Sequence, residues 1–166
     1  TSTTLALALG DALAVALLEE KGFKREDFAK FHPGGSLGRK LLLRVRDVMI
    51  AEGLHALSDR DTMRDAIVVL AKERGLAMVT TGDAHLAGVI TTGDLTRLLQ
   101  GDGDVMATPV SEVMTRTPKT ARADELASAA VHRMEEKGII ALPVLDESGK
   151  VVGVVHLHDL MRAGAA

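Results

Sequence analysis

Gly88-Val89-Ile90-Thr91-Thr92-Gly93-Asp94-Leu95 is followed 65 residues later (153 − 88) by Gly153-Val154-Val155-His156-Leu157-His158-Asp159-Leu160. Each copy runs from a glycine through two β-branched residues to a polar residue, and then to an Asp–Leu pair. That order predicts a strand feeding a helix, with a carboxylate and the first free N–H groups of the helix gathered at the turn. Upstream, Asp47-Val48-Met49 is echoed by Glu112-Val113-Met114, again 65 apart (114 − 49). Two separate matches at one spacing identify an internal duplication.

Outward from these anchors each copy carries the same series of elements. In the first, Met63, Ala66, Ile67, Leu70 and Ala71 follow the spacing of one helix face, and Gly75 ends the run. Strands are expected over 76–80 and 86–92 around a turn at Gly82-Asp83, with a closing helix over 94–99. In the second, a helix over 123–137 turns Leu126, Ala127, Ala130, Val131 and Met134 inward and stops at Gly138. Strands over 139–145 and 151–156 flank Glu147-Ser148-Gly149, and a helix over 157–162 closes the copy. Each unit is therefore strand–helix–strand–strand–helix, an α/β (α+β) architecture. One unit of about 55–60 residues buries too little apolar surface to be secure alone, so two pseudo-symmetric copies are expected to pack sheet to sheet.

Composition narrows the function. At 166 residues with 46% hydrophobic content the chain has ample material for a core, and a net charge of −3 gives no pull toward nucleic acid or anionic lipid. Only 2% of residues are aromatic, which leaves almost nothing on which bases could stack. There is no Cys, which fits a cytoplasmic protein and excludes thiolate chemistry.

Ahead of the repeats, the hydroxyls of Thr1-Ser2-Thr3-Thr4 suit the cap of a helix running to Glu20 and ended by Gly22. Leu5 to Leu18 is apolar except for Gly10 and Asp11, a run too short to span a membrane comfortably. Apolar on all sides, it is expected to belong inside a larger soluble domain, with this chain the tail of a longer protein. Phe23, Phe28 and Phe31 give the next segment a hydrophobic face. His32-Pro33-Gly34-Gly35-Ser36-Leu37-Gly38-Arg39-Lys40 is a loop whose backbone can approach a ligand closely. Arg39, Lys40, Arg44 and Arg46 make a basic run fitted to steer a phosphate or to face solvent.

The paired Val-Met starts, the glycine after each main helix, Pro143 and the two Gly-to-Asp endings resemble a tandem CBS domain pair, or Bateman module. Residues 1–44, through Thr1-Ser2-Thr3-Thr4, Leu9-Gly10-Asp11-Ala12-Leu13-Ala14-Val15-Ala16 and the His32–Lys40 loop, resemble the end of the SIS domain of D-arabinose-5-phosphate isomerases. The resemblance divides the chain into 1–44, the SIS remnant, then 45–105 and 106–166, the two CBS repeats. It implies a regulatory pair whose parent enzyme interconverts ribulose 5-phosphate and arabinose 5-phosphate at the start of the 3-deoxy-D-manno-octulosonate route to lipopolysaccharide. No cofactor is implied. The implied effector is a nucleotide, either CMP-3-deoxy-D-manno-octulosonate or AMP/ATP. The implied assembly is a homo-oligomer, a dimer of CBS pairs and a tetramer of the parent, without nucleic acid or membrane.

The resemblance also nominates residues. Asp94 and Asp159 would bind ribose hydroxyls, since a carboxylate accepts from a vicinal diol, or would simply cap their helices. Thr91 would contact phosphate or ribose, and His156 stands at its place in the second copy. The segments 50–57, and 115–120 with Thr115, would supply the facing walls. Strand residues 77–80, and 140–143 with Ile140 and Pro143, would meet a base through their backbone or serve as ordinary strand packing. His32 corresponds to an active-site histidine of the isomerases and suits proton transfer. The sugar-phosphate loop and the other catalytic groups of that family lie outside this sequence, so His32 is a partial site and the chain alone is expected to be inactive. His156 and His158, two apart, share one face of a strand but have no third metal ligand beside them. Two other readings stand beside sensing: a pair that binds nothing and holds an oligomer together, and a free-standing nucleotide sensor.

Overall fold

The computed structural model describes residues 2–24, 27 and 35–166. Two helices come first, α1 (Ser2–Glu20) and α2 (Ser36–Leu42). A short 3-10 turn at Val45–Asp47 leads into β1 (Ala56–Ser58), α3 (Met63–Lys72), β2 (Leu76–Thr80), β3 (Leu86–Thr91) and α4 (Thr92–Leu98). The second repeat follows as α5 (Val110–Val113), β4 (Ala121–Arg122), α6 (Ala127–Lys137), β5 (Ala141–Leu145), β6 (Val151–His156) and α7 (Leu157–Arg162). Each repeat forms a three-stranded sheet, ordered β1-β2-β3 and β4-β5-β6, with the first pair parallel and the second antiparallel. Even the irregularity is duplicated, since the register shifts after Val79 in one hairpin and after Val144 in the other.

The spacing is not uniform. The hairpin strands stand 65 apart (141 − 76), but the helices α3 and α6 stand 64 apart (127 − 63). The difference is taken up in the loop after each helix. There the Gly75 N–H reaches back to the Leu70 carbonyl, and Ile139 N–H to that of Met134, both at 2.8 Å. The left-handed residue closing each helix is thus Arg74 (φ 54°) in the first repeat and Gly138 (φ 64°) in the second. Ile140 is the extra residue, and β5 starts after it, at Ala141 rather than at 139.

Both helices cover the outer faces of the sheets. Met63, Ala66, Val69 and Leu70 pack on Ala77, Val79 and Ile90, while Ala127, Ala130, Val131 and Met134 pack on Leu142, Val144 and Val155. Val69 takes the place expected for Ala71, which is exposed because it lies a further 100° around the helix from Leu70. Helix α6 starts at Ala127 rather than 123, with Leu126 as its half-buried N-cap residue. The inner faces of the two sheets meet through Leu76, Met78 and Val89 on one side and Ala141 and Val154 on the other. The expected sheet-to-sheet packing is what the structure shows.

The repeats also exchange their leading segments. Ile50 pairs with Val154 by two backbone hydrogen bonds of 2.9 Å, and Thr115 pairs with Val89 at 2.8 and 3.0 Å. Val45 lies in the core of the second repeat, and Val110 and Met114 lie in the core of the first. The glycines at the third position of β3 and β6 make this crossing possible. A Cβ on Gly88 would stand 2.8 Å from both Met114 Sδ and the Thr115 carbonyl, and one on Gly153 would stand 2.9 Å from the Ile50 carbonyl. The two sequence echoes are therefore the two sides of one contact, made twice.

The residues before the repeats divide into two parts. Segment 36–44 is fastened to the second repeat, where Ser128 Oγ donates to the Lys40 carbonyl at 3.0 Å and Ala127 N–H to that of Leu43 at 2.8 Å. Helix α1 ends at Glu20 before Gly22 (φ 60°), as expected, and buries none of its residues. Leu5 is 72% exposed and Leu9 61%. The complete helix is long and apolar enough by composition to cross a membrane, which the run from Leu5 to Leu18 alone is not. Phe28, Phe31 and His32 lie outside the described residues.

Gly88→Ala and Gly153→Ala should each lower stability by about 1–3 kcal/mol, because the added methyl pushes against a carbonyl that is fixed by pairing. Gly103→Ala, whose Cβ would meet nothing within 4 Å, should leave the urea midpoint unchanged or slightly raised. Equal midpoints for all three variants would contradict the crossed contact.

Candidate functional site

At the first strand-to-helix turn, Thr91 and Asp94 bind each other reciprocally. Asp94 Oδ2 accepts from Thr91 N–H at 2.8 Å and from Thr91 Oγ1 at 2.7 Å, while Asp94 N–H reaches Thr91 Oγ1 at 3.3 Å. This is a capping box, and it satisfies two of the free donors at the start of α4. The second oxygen of Asp94 accepts from Arg97, one turn along the same helix. Asp94 is only 9% exposed, and it opens toward Arg97, Glu112 and Val113.

Beneath Thr91 lies a cleft of about 260 Å³ built by both repeats. Thr115, Thr117 and Lys119 form one wall, Ala141 and Pro143 another, and Leu76, Val89 and Ile139 the floor. Strand β4 pairs only with Val144 and Leu145 of β5, so the backbone from Ala141 to Pro143 has no strand beyond it. Pro143, which has no N–H to give a neighbour, is tolerated in a central strand because that stretch is in effect an edge. A neighbouring cavity of about 280 Å³ shares Leu76, Thr91, Ile139 and Ala141 with this cleft and extends it past Gly75 and Ile140. The arrangement offers a planar group a free strand edge, and offers an anion two hydroxyls and an ammonium.

The second turn is different. Asp159 holds Arg74, which crosses from the first repeat with Nη1 3.3 Å from Oδ1 and Nη2 2.5 Å from Oδ2. The same Nη2 donates to His156 Nδ1 at 2.8 Å, and His156 Nε2 lies 3.4 Å from the Glu73 carbonyl. That pattern requires a neutral ring with its proton on Nε2. Glu73 in turn accepts from the ring and the backbone N–H of His55, on the segment leading into β1. Burial, and then the guanidinium of Arg74, hold the His156 pKa below its ordinary value of 6.5. The bond from Arg74 holds the Asp159 carboxyl below 3.8, and the bond from Asp159 raises Arg74.

The residues expected in one kind of site thus fall into two. Thr91, Thr115 and Pro143 come together in the open cleft, with Ile140 at its extension. Asp94 does not line that cleft, because its carboxylate is drawn into the cap and onto Arg97. His156 and Asp159 belong to the cluster held by Arg74. His156 and His158 do not share a strand face: His156 ends β6 and is buried, while His158 lies in α7 and is exposed. Among the described residues no cluster of three potential metal ligands occurs. Arg74 and Arg97 are the residues that sequence reasoning missed. The signal for Arg74 was an arginine at the position where the other repeat has its left-handed glycine.

Comparison with known proteins places these observations. The CBS domain family matches residues 45–101 and 110–166. The chain is 48% identical over 166 residues to the arabinose 5-phosphate isomerase KdsD of Pseudomonas aeruginosa, covering 98% of this chain and 51% of that protein. It is 41% identical to the KdsD of Escherichia coli K12, covering 98% and 50%. The chain therefore spans about half the length of these relatives. Among solved structures, the CBS domain pair of protein MJ0100 in complex with 5′-methylthioadenosine and S-adenosyl-L-methionine superposes with a TM-score of 0.64 at 25% identity, over 72% of this chain and 93% of that one. CBSX2 in complex with AMP has the same fold, with a TM-score of 0.65 at 24% identity over 72% and 94%.

The arginine cluster carries a pH dependence of definite sign. Folded His156 resists protonation, so the unfolded chain takes up the proton first, and its contribution to stability is complete above pH 6.5 and declines as pH falls below it. Asp159 adds a further loss only below its unfolded value of 3.8. A ring-proton NMR titration should place His156 below 6.5, and Arg74→Met should move it upward. No movement on removing the guanidinium would contradict the contact.

Proposed function

The chain belongs to the CBS domain family, and on that premise we propose that it is the nucleotide-sensing half of a D-arabinose-5-phosphate isomerase. The observation that carries this reading is the cleft under Thr91, where a free strand edge, two threonine hydroxyls and Lys119 surround one cavity built by both repeats. The strand edge from Ala141 to Pro143 takes the base. Thr115, Thr117 and Lys119 take the phosphate, and Thr91 takes the ribose. Asp94 reaches the ribose when its bond to the exposed Arg97 side chain gives way. The match to the isomerases covers 98% of the chain and so nearly all of residues 1–44, which supports their assignment as the end of a catalytic SIS domain, with His32 in its active site. On this reading the parent interconverts ribulose 5-phosphate and arabinose 5-phosphate in the cytoplasm, and the chain by itself is inactive.

Regulation follows from the way the cleft is assembled. A ligand that touches both repeats favours one arrangement of them over another, and shifts their populations by the difference in its affinity for each. The second repeat is bonded to α2, which begins four residues after His32 (36 − 32). Its position is thereby linked along the chain to the segment that carries the histidine. CMP-3-deoxy-D-manno-octulosonate is the preferred effector, since feedback from a late product onto the isomerase is economical. An adenine nucleotide is the second reading, favoured by the adenosine compounds and AMP bound to the structural neighbours.

Thermal unfolding against AMP, ATP, CMP, CMP-3-deoxy-D-manno-octulosonate and arabinose 5-phosphate tests the proposal. A specific ligand at 100 times its Kd should add about 2.7 kcal/mol of stability. Response to the cytidine compounds alone supports feedback, and response to adenine supports energy sensing. Silence across the panel overturns sensing in favour of a structural role. Asp94→Ala should cost about 1 kcal/mol through the lost cap and should also abolish binding in a direct titration. Undiminished affinity in that variant removes Asp94 from the ribose site.

A further inference from the structure

We infer that the two clefts of the pair have diverged into one ligand site and one internal clasp, so that the chain takes up a single nucleotide while Arg74 occupies the carboxylate of the second cleft. The inference rests on the sensing proposal for the first cleft, but the clasp stands on its own geometry. Pseudo-symmetry identifies the counterpart of each cleft residue. Thr115 becomes Ile50, Thr117 becomes Glu52, Lys119 becomes Leu54, Pro143 becomes Met78 and Thr91 becomes His156. Every residue suited to hold an anion is replaced by an apolar, acidic or neutral one. Met78 and Leu54 pack into the cluster between the sheets, on the side where the open cleft has Pro143 and Lys119.

A cavity of about 360 Å³ remains at the second turn, lined by Arg74, His156, Leu157 and His158, and Arg74 reaches past it to the carboxylate. Arg74 sits at φ 54°, a conformation disfavoured for a side-chain-bearing residue, and its structural counterpart is Gly138. Its guanidinium makes a two-point bond to Asp159 and a third contact to His156, and so occupies the carboxylate that would otherwise meet a ribose. His55 and Glu73 tie the segment leading into β1 to the same loop. The first cleft has no equivalent clasp, because Gly138 has no side chain to extend toward Asp94. The carboxylate there is instead held by Arg97 of its own helix.

Isothermal titration of the full chain with CMP-3-deoxy-D-manno-octulosonate and with AMP tests the stoichiometry. One site per chain is expected. Lys119→Met should weaken binding at least tenfold and leave no site of the original affinity, and Arg74→Gly should leave affinity and stoichiometry unchanged. Two sites in the unaltered chain, or a site of undiminished affinity in Lys119→Met, overturn the inference. Absence of binding to either compound counts against the sensing proposal instead, and the clasp is then judged without ligand. Arg74→Gly and Asp159→Asn should be non-additive in urea unfolding, the second substitution doing little once the first is present. Additive effects overturn the clasp. Glycine suits the left-handed position, so the Arg74→Gly variant is expected to fold.

Discussion

The structure depends on one contact made twice, the seating of a Val-Met segment from one repeat on a glycine in the other repeat's last strand. Two backbone hydrogen bonds fix each seat, between Ile50 and Val154 and between Val89 and Thr115. The absence of a Cβ at Gly153 and Gly88 lets the chains come together at that distance. Because each leading segment buries its apolar side chains in the partner repeat, neither unit has a complete core of its own. The exchange also builds the functional surface. It pairs the segment after Met114 with the edge of β3 at Val89, and that pairing sets Thr115, Thr117 and Lys119 along the cleft. Fold stability and ligand cleft therefore share a cause.

Duplication supplies two such clefts, and the chain treats them differently. Holding Arg74 in the left-handed region costs about 1–2 kcal/mol. Charge-assisted hydrogen bonds to Asp159 return about 1.5–3 kcal/mol before screening, and the arginine side chain is 46% exposed, so the net contribution is small. The value of the arrangement lies in directing a cation onto the carboxylate of the second turn. On the other side, Asp94 serves its helix cap and Arg97, while the cleft beside it stays open.

Much of this was legible in the sequence because glycine and the two hydrophobic periods leave clear marks. The strands Leu76–Thr80 and Val151–His156, the helix Leu157–Arg162 and the stops near Gly22 and Gly138 follow from those marks alone. The break in spacing was hidden because Ile139 and Ile140 have the β-branched character of the strand they precede. Arg74 was hidden because an arginine just past a helix C-terminus is ordinary complement to the helix dipole. Its partner lies 85 residues away (159 − 74), which only the tertiary fold reveals. For the same reason the cap geometry of Asp94 was visible as a possibility, but not its turn toward Arg97. The CBS resemblance named Thr115, Ile140 and Pro143, which the structure brings to one cleft and its extension, and it implied more symmetry than the side chains retain.

The most direct test of the account is a crystal structure of the chain grown with CMP-3-deoxy-D-manno-octulosonate. The account predicts one nucleotide, with its base along Ala141 to Pro143 and its phosphate near Lys119, and with Arg74 still bonded to Asp159. A nucleotide seated against His156 with Arg74 displaced, or two nucleotides in equivalent poses, would contradict it.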